Sequence, residues 1–237
     1  AHANGGEWNE DDGWAGSGTP VPDVARRMIA KGCTLSVEQI DVQLNRYVYE
    51  SELKGLPWID GVLDVLHALK DAGVPSMLVS TSPRPIVENV MRQSEGLFAG
   101  YVCGDDPVAH KPDPAPYLEA ASRLGLSADD MPRCVVFEDS SSGLRSGVAS
   151  GATVIAQTGW IRTDTSGLGQ FLSIDSYDGI DAAALDVIVR RRLATRGTAP
   201  HGEKNAVCSG VFRKVRNTGD TLIVLRLIVE VTWSTGV

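Results

Sequence analysis

The stretch Cys134-Val135-Val136-Phe137-Glu138-Asp139-Ser140-Ser141-Ser142-Gly143 constrains this chain more than any other. Four apolar residues run into two adjacent carboxylates, then into small hydroxyl residues, a glycine and a helix-like run ending near Ser150. A short apolar run bounded by turn residues fits a strand buried on both faces, the kind found in parallel sheets covered by helices. Open α/β sheets bind their ligands outside the carboxyl ends of the strands. Two carboxylates placed there repel each other unless paired, and a hard divalent cation such as magnesium is their natural partner. A solvated acidic turn after a buried strand accounts for the same residues. The pair alone does not decide between the two.

The rest of the chain repeats the strand–helix rhythm. Pro22–Lys31 reads as a helix stopped by Gly32, and Ser36 caps a longer amphipathic run, Val37–Leu53, with Ile40, Leu44, Tyr47 and Val48 at helical spacing. Residues 1–55 are therefore expected to form a partial helical cap. From Leu56 the character changes. Helices are expected at Val62–Ala72, Pro85–Gln93, Ala115–Leu124 and Leu144–Ser150. Between them lie strand-like runs at Pro75–Val79, Gly100–Cys103, Cys134–Phe137 and Gly151–Ala156. Strands alternating with helices of this length indicate βαβ units and a Rossmann-like parallel sheet, assigned here to residues 56–190. Beyond 190 the rhythm stops. Residues 191–237 read as a basic linker and a β-hairpin-like tail, Val211–Arg216 and Thr221–Trp233 about the turn Asn217-Thr218-Gly219-Asp220.

Charge narrows the function classes. Residues 1–189 carry 13 Lys and Arg against 27 Asp and Glu, and residues 190–237 carry 9 against 3. An acidic body is a poor nucleic-acid surface, and the run Arg190-Arg191-Arg192 reads as a solvated helix end. No apolar run approaches the roughly 20 residues of a membrane helix. Four widely spaced cysteines (Cys33, Cys103, Cys134, Cys208) form no CxxC pair, which suggests a reducing, cytoplasmic setting. The start, Ala1-His2-Ala3-Asn4-Gly5-Gly6, has neither the basic nor the apolar segment of a signal peptide and lacks Met, so the chain is expected to begin inside a longer product.

Three polar groups follow three expected strands. Ser80-Thr81-Ser82 offers hydroxyls and backbone amides just before a helix, a setting that holds phosphate. Lys111 lies in His110-Lys111-Pro112-Asp113-Pro114, a loop stiffened by two prolines. Glu138 and Asp139 complete the set. Hydroxyl, ammonium and carboxylates converging on one edge suit phosphoryl transfer, where positioning and charge neutralisation dominate.

With these residues the chain resembles the haloacid dehalogenase-like hydrolases, in the branch of phosphatases and β-phosphoglucomutase. The resemblance is carried by Leu78-Val79-Ser80-Thr81-Ser82, by His110–Pro114, and by Val136–Leu144 with Gly147 and Gly151. Pro57-Trp58-Ile59-Asp60-Gly61 is similar to the family's return from cap to core. The resemblance covers roughly residues 19–190. It implies a magnesium-dependent phosphatase of small phosphorylated metabolites, or a sugar-phosphate mutase sharing the same core motifs. It also implies roles: Ser80 and Thr81 (through its amide) hold the phosphoryl group, Lys111 stabilises nucleophile and phosphate, Glu138 and Asp139 position magnesium, and the cap closes over the substrate.

One family element is missing. The first motif, an apolar strand ending in Asp-x-Asp-x-Thr whose first Asp is the nucleophile, occurs nowhere in these residues. The chain is therefore expected to be inactive or incomplete as given, with a non-catalytic phosphate- or protein-binding relic as the alternative. That strand is central to the family's sheet, so a gap is expected. The apolar run Thr221–Val229, leading into Glu230-Val231-Thr232-Trp233-Ser234, would fill that slot as a natural permutation would; an unrelated tail forming an exposed hairpin is the alternative.

Overall fold

Short apolar runs form the strands as expected, and helices cover them on both sides. The computed structural model describes residues 1–16, 19–160, 164–196 and 223–224. Three helices come first: α1 (Glu10–Gly16), α2 (Val21–Ala30) and α3 (Val37–Glu52). The alternating part follows as α4 (Val62–Asp71), β1 (Met77–Val79), α5 (Arg84–Gln93), β2 (Gly100–Val102), α6 (Ala115–Arg123), β3 (Cys134–Glu138), α7 (Ser141–Ala149), β4 (Thr153–Gln157), β5 (Leu172–Ile174) and α8 (Ala182–Arg196). A last two-residue strand is β6 (Ile223–Val224).

Side-chain alternation along the strands builds two apolar layers. Val135 and Phe137 of β3 and Leu78 of β1 face a layer made with Val62, Val65, Leu66 and Leu69 of α4, Val87 and Val90 of α5, and Leu185, Ile188 and Val189 of α8. Cys134 and Val136, with Met77 and Val79, face the opposite layer, where Tyr117, Ala120 and Ala121 of α6 meet Leu144 of α7. All five residues of β3 are buried, which is why its sequence shows no polar alternation. Each fully buried Val, Leu or Phe is worth roughly 1.5–3 kcal/mol.

Among the described residues every ladder is parallel, and the sheet is in two pieces: β1 pairs with β2, and a second sheet has the order β5-β4-β3-β6. Both apolar layers draw on both pieces. This matches the gap expected from the missing first motif. On the side of β3 away from β4, Ile223 pairs with Cys134 and Val224 with Val135. The tail therefore reaches the β3 side of the gap, while among the described residues no ladder joins β6 to β1. The expected hairpin of residues 211–233 otherwise lies outside the described residues.

Helices α2 and α3 pack with the N-terminal residues around a separate small core of Ala25, Met28, Cys33 and Ile40, flanked by Trp8, Leu35 and Leu44. Ser36 caps α3 through a reciprocal capping box with Gln39, as its sequence announced. Helix α1 is held to the end of α2 by the ion pair of Asp12 with Lys31. Helix α8 extends past residue 190. Arg190 and Arg191 are exposed, but Arg192 is buried and donates to the Thr153 hydroxyl at 3.1 Å, so the basic run is only partly solvated. No helix among the described residues is long and apolar enough to cross a membrane.

Candidate active site

The carboxyl end of β3 carries Glu138 into the interior. Its side chain has no exposed surface, and five donors converge on it. Oε1 accepts from Lys111 Nζ at 2.8 Å and from the Tyr117 hydroxyl at 2.5 Å. Oε2 accepts from the Asp139 amide at 3.1 Å, the Ser140 amide at 3.3 Å and the Ser140 hydroxyl at 3.1 Å. Ser140 also caps α7 by accepting the Gly143 amide at 3.1 Å. Gly143 is required by close approach: a Cβ there would fall on the carboxyl group of Glu138.

Lys111 is nearly as deep, with 3% of its side chain exposed. Besides Glu138, its ammonium donates to the Val79 carbonyl at 3.1 Å and lies 4.9 Å from the centre of the Tyr117 ring. The Ser80 amide donates to Val102, so strand alternation turns the Val79 carbonyl off the β1–β2 ladder, toward the open edge. One ammonium thus links the end of β1 to the carboxylate of β3, bridging the two sheet pieces. A buried pair of this kind adds little net stability, but removing either partner strands a charge and costs about 3–5 kcal/mol.

Ser80 and Thr81 follow directly from the residue that Lys111 contacts. The Ser80 hydroxyl accepts the Ser82 amide at 3.1 Å, folding the turn back on itself. The Gly104 amide donates to the Ser82 carbonyl at 2.8 Å, and Gly104 lies so close to Thr81 that no side chain fits there. The loop that runs from β2 to Lys111 is fixed by Asp106. This carboxylate accepts the Cys103 amide at 2.9 Å, Arg84 at 2.9 Å and Arg123 at 3.2 Å. Burial pushes the Asp106 carboxyl up, but the amide and the two guanidiniums outweigh it and hold it below the usual carboxylate range. Asp105 accepts the Arg84 amide at 2.7 Å. Arg84 opens α5, so the same carboxylates tie the Ser80 turn to the Lys111 loop.

The structure thus brings Lys111 and Glu138 into contact, sets Ser80 and Thr81 beside them, and places Asp139 at the same strand end. The fit to magnesium is another matter. Glu138 is fully engaged by protein donors, and among the described residues no three His, Cys, Asp or Glu side chains group to hold a metal. Glu138 and Asp139 as placed do not by themselves make a magnesium site. The residues that sequence reasoning missed are Tyr117 and Asp106. Tyr117 sits at helical spacing among Ala120 and Ala121, and such a tyrosine reads as core; Asp106 reads as one of several loop acids. The Asp105-Asp106 pair just after a strand was the one available signal.

A parallel α/β core with its polar groups gathered at strand ends, covered by helices on both faces, defines the Rossmann-like class. A family model described as a haloacid dehalogenase-like hydrolase matches residues 8–151, and the chain belongs to that family. Hexitol phosphatase A of Escherichia coli K12 is 32% identical over 112 residues, covering 46% of this chain and 50% of that protein. The alignments with the first three curated relatives span 50%, 27% and 66% of those proteins' lengths. Among solved structures, the HAD hydrolase of family IA, variant 3, from Entamoeba histolytica superposes with a TM-score of 0.63 at 23% identity, over 77% of this chain and 84% of that one. CbbY from Rhodobacter sphaeroides, solved in complex with phosphate, gives 0.62 at 22% identity, over 78% and 87%. At such identities these structures attest the fold.

Proposed function

We propose that the described site is the phosphoryl-recognition half of a phosphatase acting on small phosphorylated metabolites. The observation that carries this reading is the Lys111 ammonium, fixed between Val79 and Glu138 directly behind the Ser80–Thr81 turn. Ser80 would offer its hydroxyl and Thr81 its amide to phosphoryl oxygens, with Lys111 as the positive charge behind them. The family relation and the phosphatase among its relatives support this substrate class.

The charge balance limits what these residues do alone. One ammonium faces two carboxylates, a net charge of about −1, which opposes a phosphate dianion at this distance. In the family reading magnesium supplies the missing positive charge. Glu138 is spent on Lys111 and Tyr117, so no step is assigned to a cation here. No Asp-x-Asp-x-Thr nucleophile is present either. Weak phosphate binding without turnover is the expected behaviour of this chain.

The test is an amide NMR titration with inorganic phosphate. Shifts confined to Ser80, Thr81 and the Lys111 loop, abolished by Lys111→Met, are expected. Shifts elsewhere, or none up to roughly tens of millimolar (a binding energy below about 3 kcal/mol), refute the reading. Hydrolysis of an aryl phosphate, with or without magnesium, would overturn the statement that the nucleophile is absent.

A further inference from the structure

Tyr117 touches both halves of the buried pair. Its hydroxyl donates to Glu138 Oε1 at 2.5 Å, the same oxygen that accepts Lys111, while the Lys111 ammonium sits 4.9 Å from the centre of its ring. The tyrosine itself has no exposed surface. It is anchored in the first turns of α6, where Ala120 and Ala121 are equally buried, so it has little freedom to turn away. A phenylalanine would fill this space equally well as core. The hydroxyl is an added polar group at full burial, and burying one unpaired costs roughly 1–3 kcal/mol, so its presence demands an acceptor.

We propose that Tyr117 is the positioning residue of this site, holding the Glu138 carboxylate and the Lys111 ammonium in one fixed arrangement behind the Ser80 turn. The proposal rests on the phosphoryl-recognition reading only for the purpose of that arrangement. Two constraints act at once. The hydroxyl fixes Oε1, which leaves Lys111 a single direction of approach to the carboxylate. The ring face then flanks the ammonium and keeps water from its stem. Without the hydroxyl, Oε1 loses one of the donors that fix it, and the pair gains freedom to rotate together about Oε2.

The test uses NMR of the whole chain labelled with 15N-lysine, reading the Lys111 ammonium directly. In the unaltered protein the buried, hydrogen-bonded ammonium is expected to give a slowly exchanging signal. Tyr117→Phe, which preserves the ring, is expected to speed that exchange at least tenfold and to weaken phosphate binding about threefold to tenfold, with amide spectra otherwise native. Tyr49→Phe, which removes a hydroxyl on α3 outside the site, leaves the Lys111 signal unchanged. If Tyr117→Phe does not fold, the unaltered protein supplies the second reading: the Tyr117 hydroxyl proton is expected to be protected from exchange with water and to show a nuclear Overhauser contact with the Lys111 ammonium. An unchanged Lys111 signal in Tyr117→Phe, or a Tyr117 hydroxyl proton that exchanges freely with water in the unaltered protein, overturns the proposal. A Lys111 signal that responds to Tyr117→Phe in a protein indifferent to phosphate upholds the positioning role and refutes the phosphoryl reading instead.

Discussion

Replacing Gly143 by alanine tests the packing around Glu138 most directly, because two physical effects there have opposite signs. Gly143 lies inside α7, and in an ordinary helix interior alanine is favoured over glycine by roughly 0.8–1 kcal/mol. Here the new methyl would land on the Glu138 carboxyl group. A long side chain elsewhere would step aside, but Glu138 has no exposed surface and is held by Lys111, Tyr117 and three donors from its own turn. If α7 shifts instead, overpacking costs about 1–3 kcal/mol. If the carboxylate swings out, Lys111 loses its buried partner at about 3–5 kcal/mol. The cheaper route dominates, and overlap with three carboxyl atoms puts it in the upper part of that range; after the alanine preference is subtracted a net loss of about 1–2 kcal/mol is expected, or roughly 2–8 °C in Tm for a chain of this size. Urea unfolding followed by circular dichroism measures it, with the exposed Ser141→Ala in the same helix as a control expected to stay within about 0.5 kcal/mol. A Gly143→Ala protein as stable as the parent, or more so, would refute the arrangement drawn for Glu138.

Further outcomes follow from other buried groups. Burial pushes the Glu52 carboxyl up, against the opposing hydrogen bond from Asn89, at the contact of α3 with α5. Its contribution is fully present below the ordinary glutamate range and is lost as pH rises through the raised value. Glu52→Gln should therefore raise Tm at neutral pH and flatten its dependence on pH in that window. Asp106 behaves oppositely: its depressed carboxyl contributes above the ordinary aspartate range and loses that contribution as pH falls. Asp106→Asn is expected to cost about 1–3 kcal/mol at neutral pH and less in acid, as read by urea unfolding at two pH values. Burial pushes the Cys134 thiol up to about 12, so a thiol reagent at pH 8 should leave it unlabelled in the native protein and label it in urea; labelling of the folded chain at Cys134 would contradict its place in β3.

Much of the core was legible because β3 and β4 are short apolar runs, and their length, β-branched residues and bounding turns identify them as buried strands. β5 was not, since Leu172-Ser173-Ile174 is a short run, exposed at Ser173 and half-buried at either side, whose strand character comes from pairing with β4. Helix α1 was passed over although Asn9 caps it by accepting the Asp12 amide and three acids fill its first turn. At the candidate site, Ser80 and the Glu138-Asp139 pair were singled out because they stand at strand ends, and Lys111 because two prolines stiffen its loop. What sequence could not give was direction. Glu138 and Asp139 are adjacent, and alternation sends neighbouring side chains to different places. One carboxylate turned inward to meet Lys111 and Tyr117, and only three-dimensional packing decides which.

The pairing of β6 with β3 has a consequence for biosynthesis. The two strands are separated by about 90 residues of chain, which a ribosome adds in roughly 5–20 s. Throughout that interval β6 cannot cover the edge of β3 that faces away from β4. Any strand that reaches this edge first, from elsewhere in the same chain or from a neighbouring chain on the same message, competes with Ile223–Val224 for it.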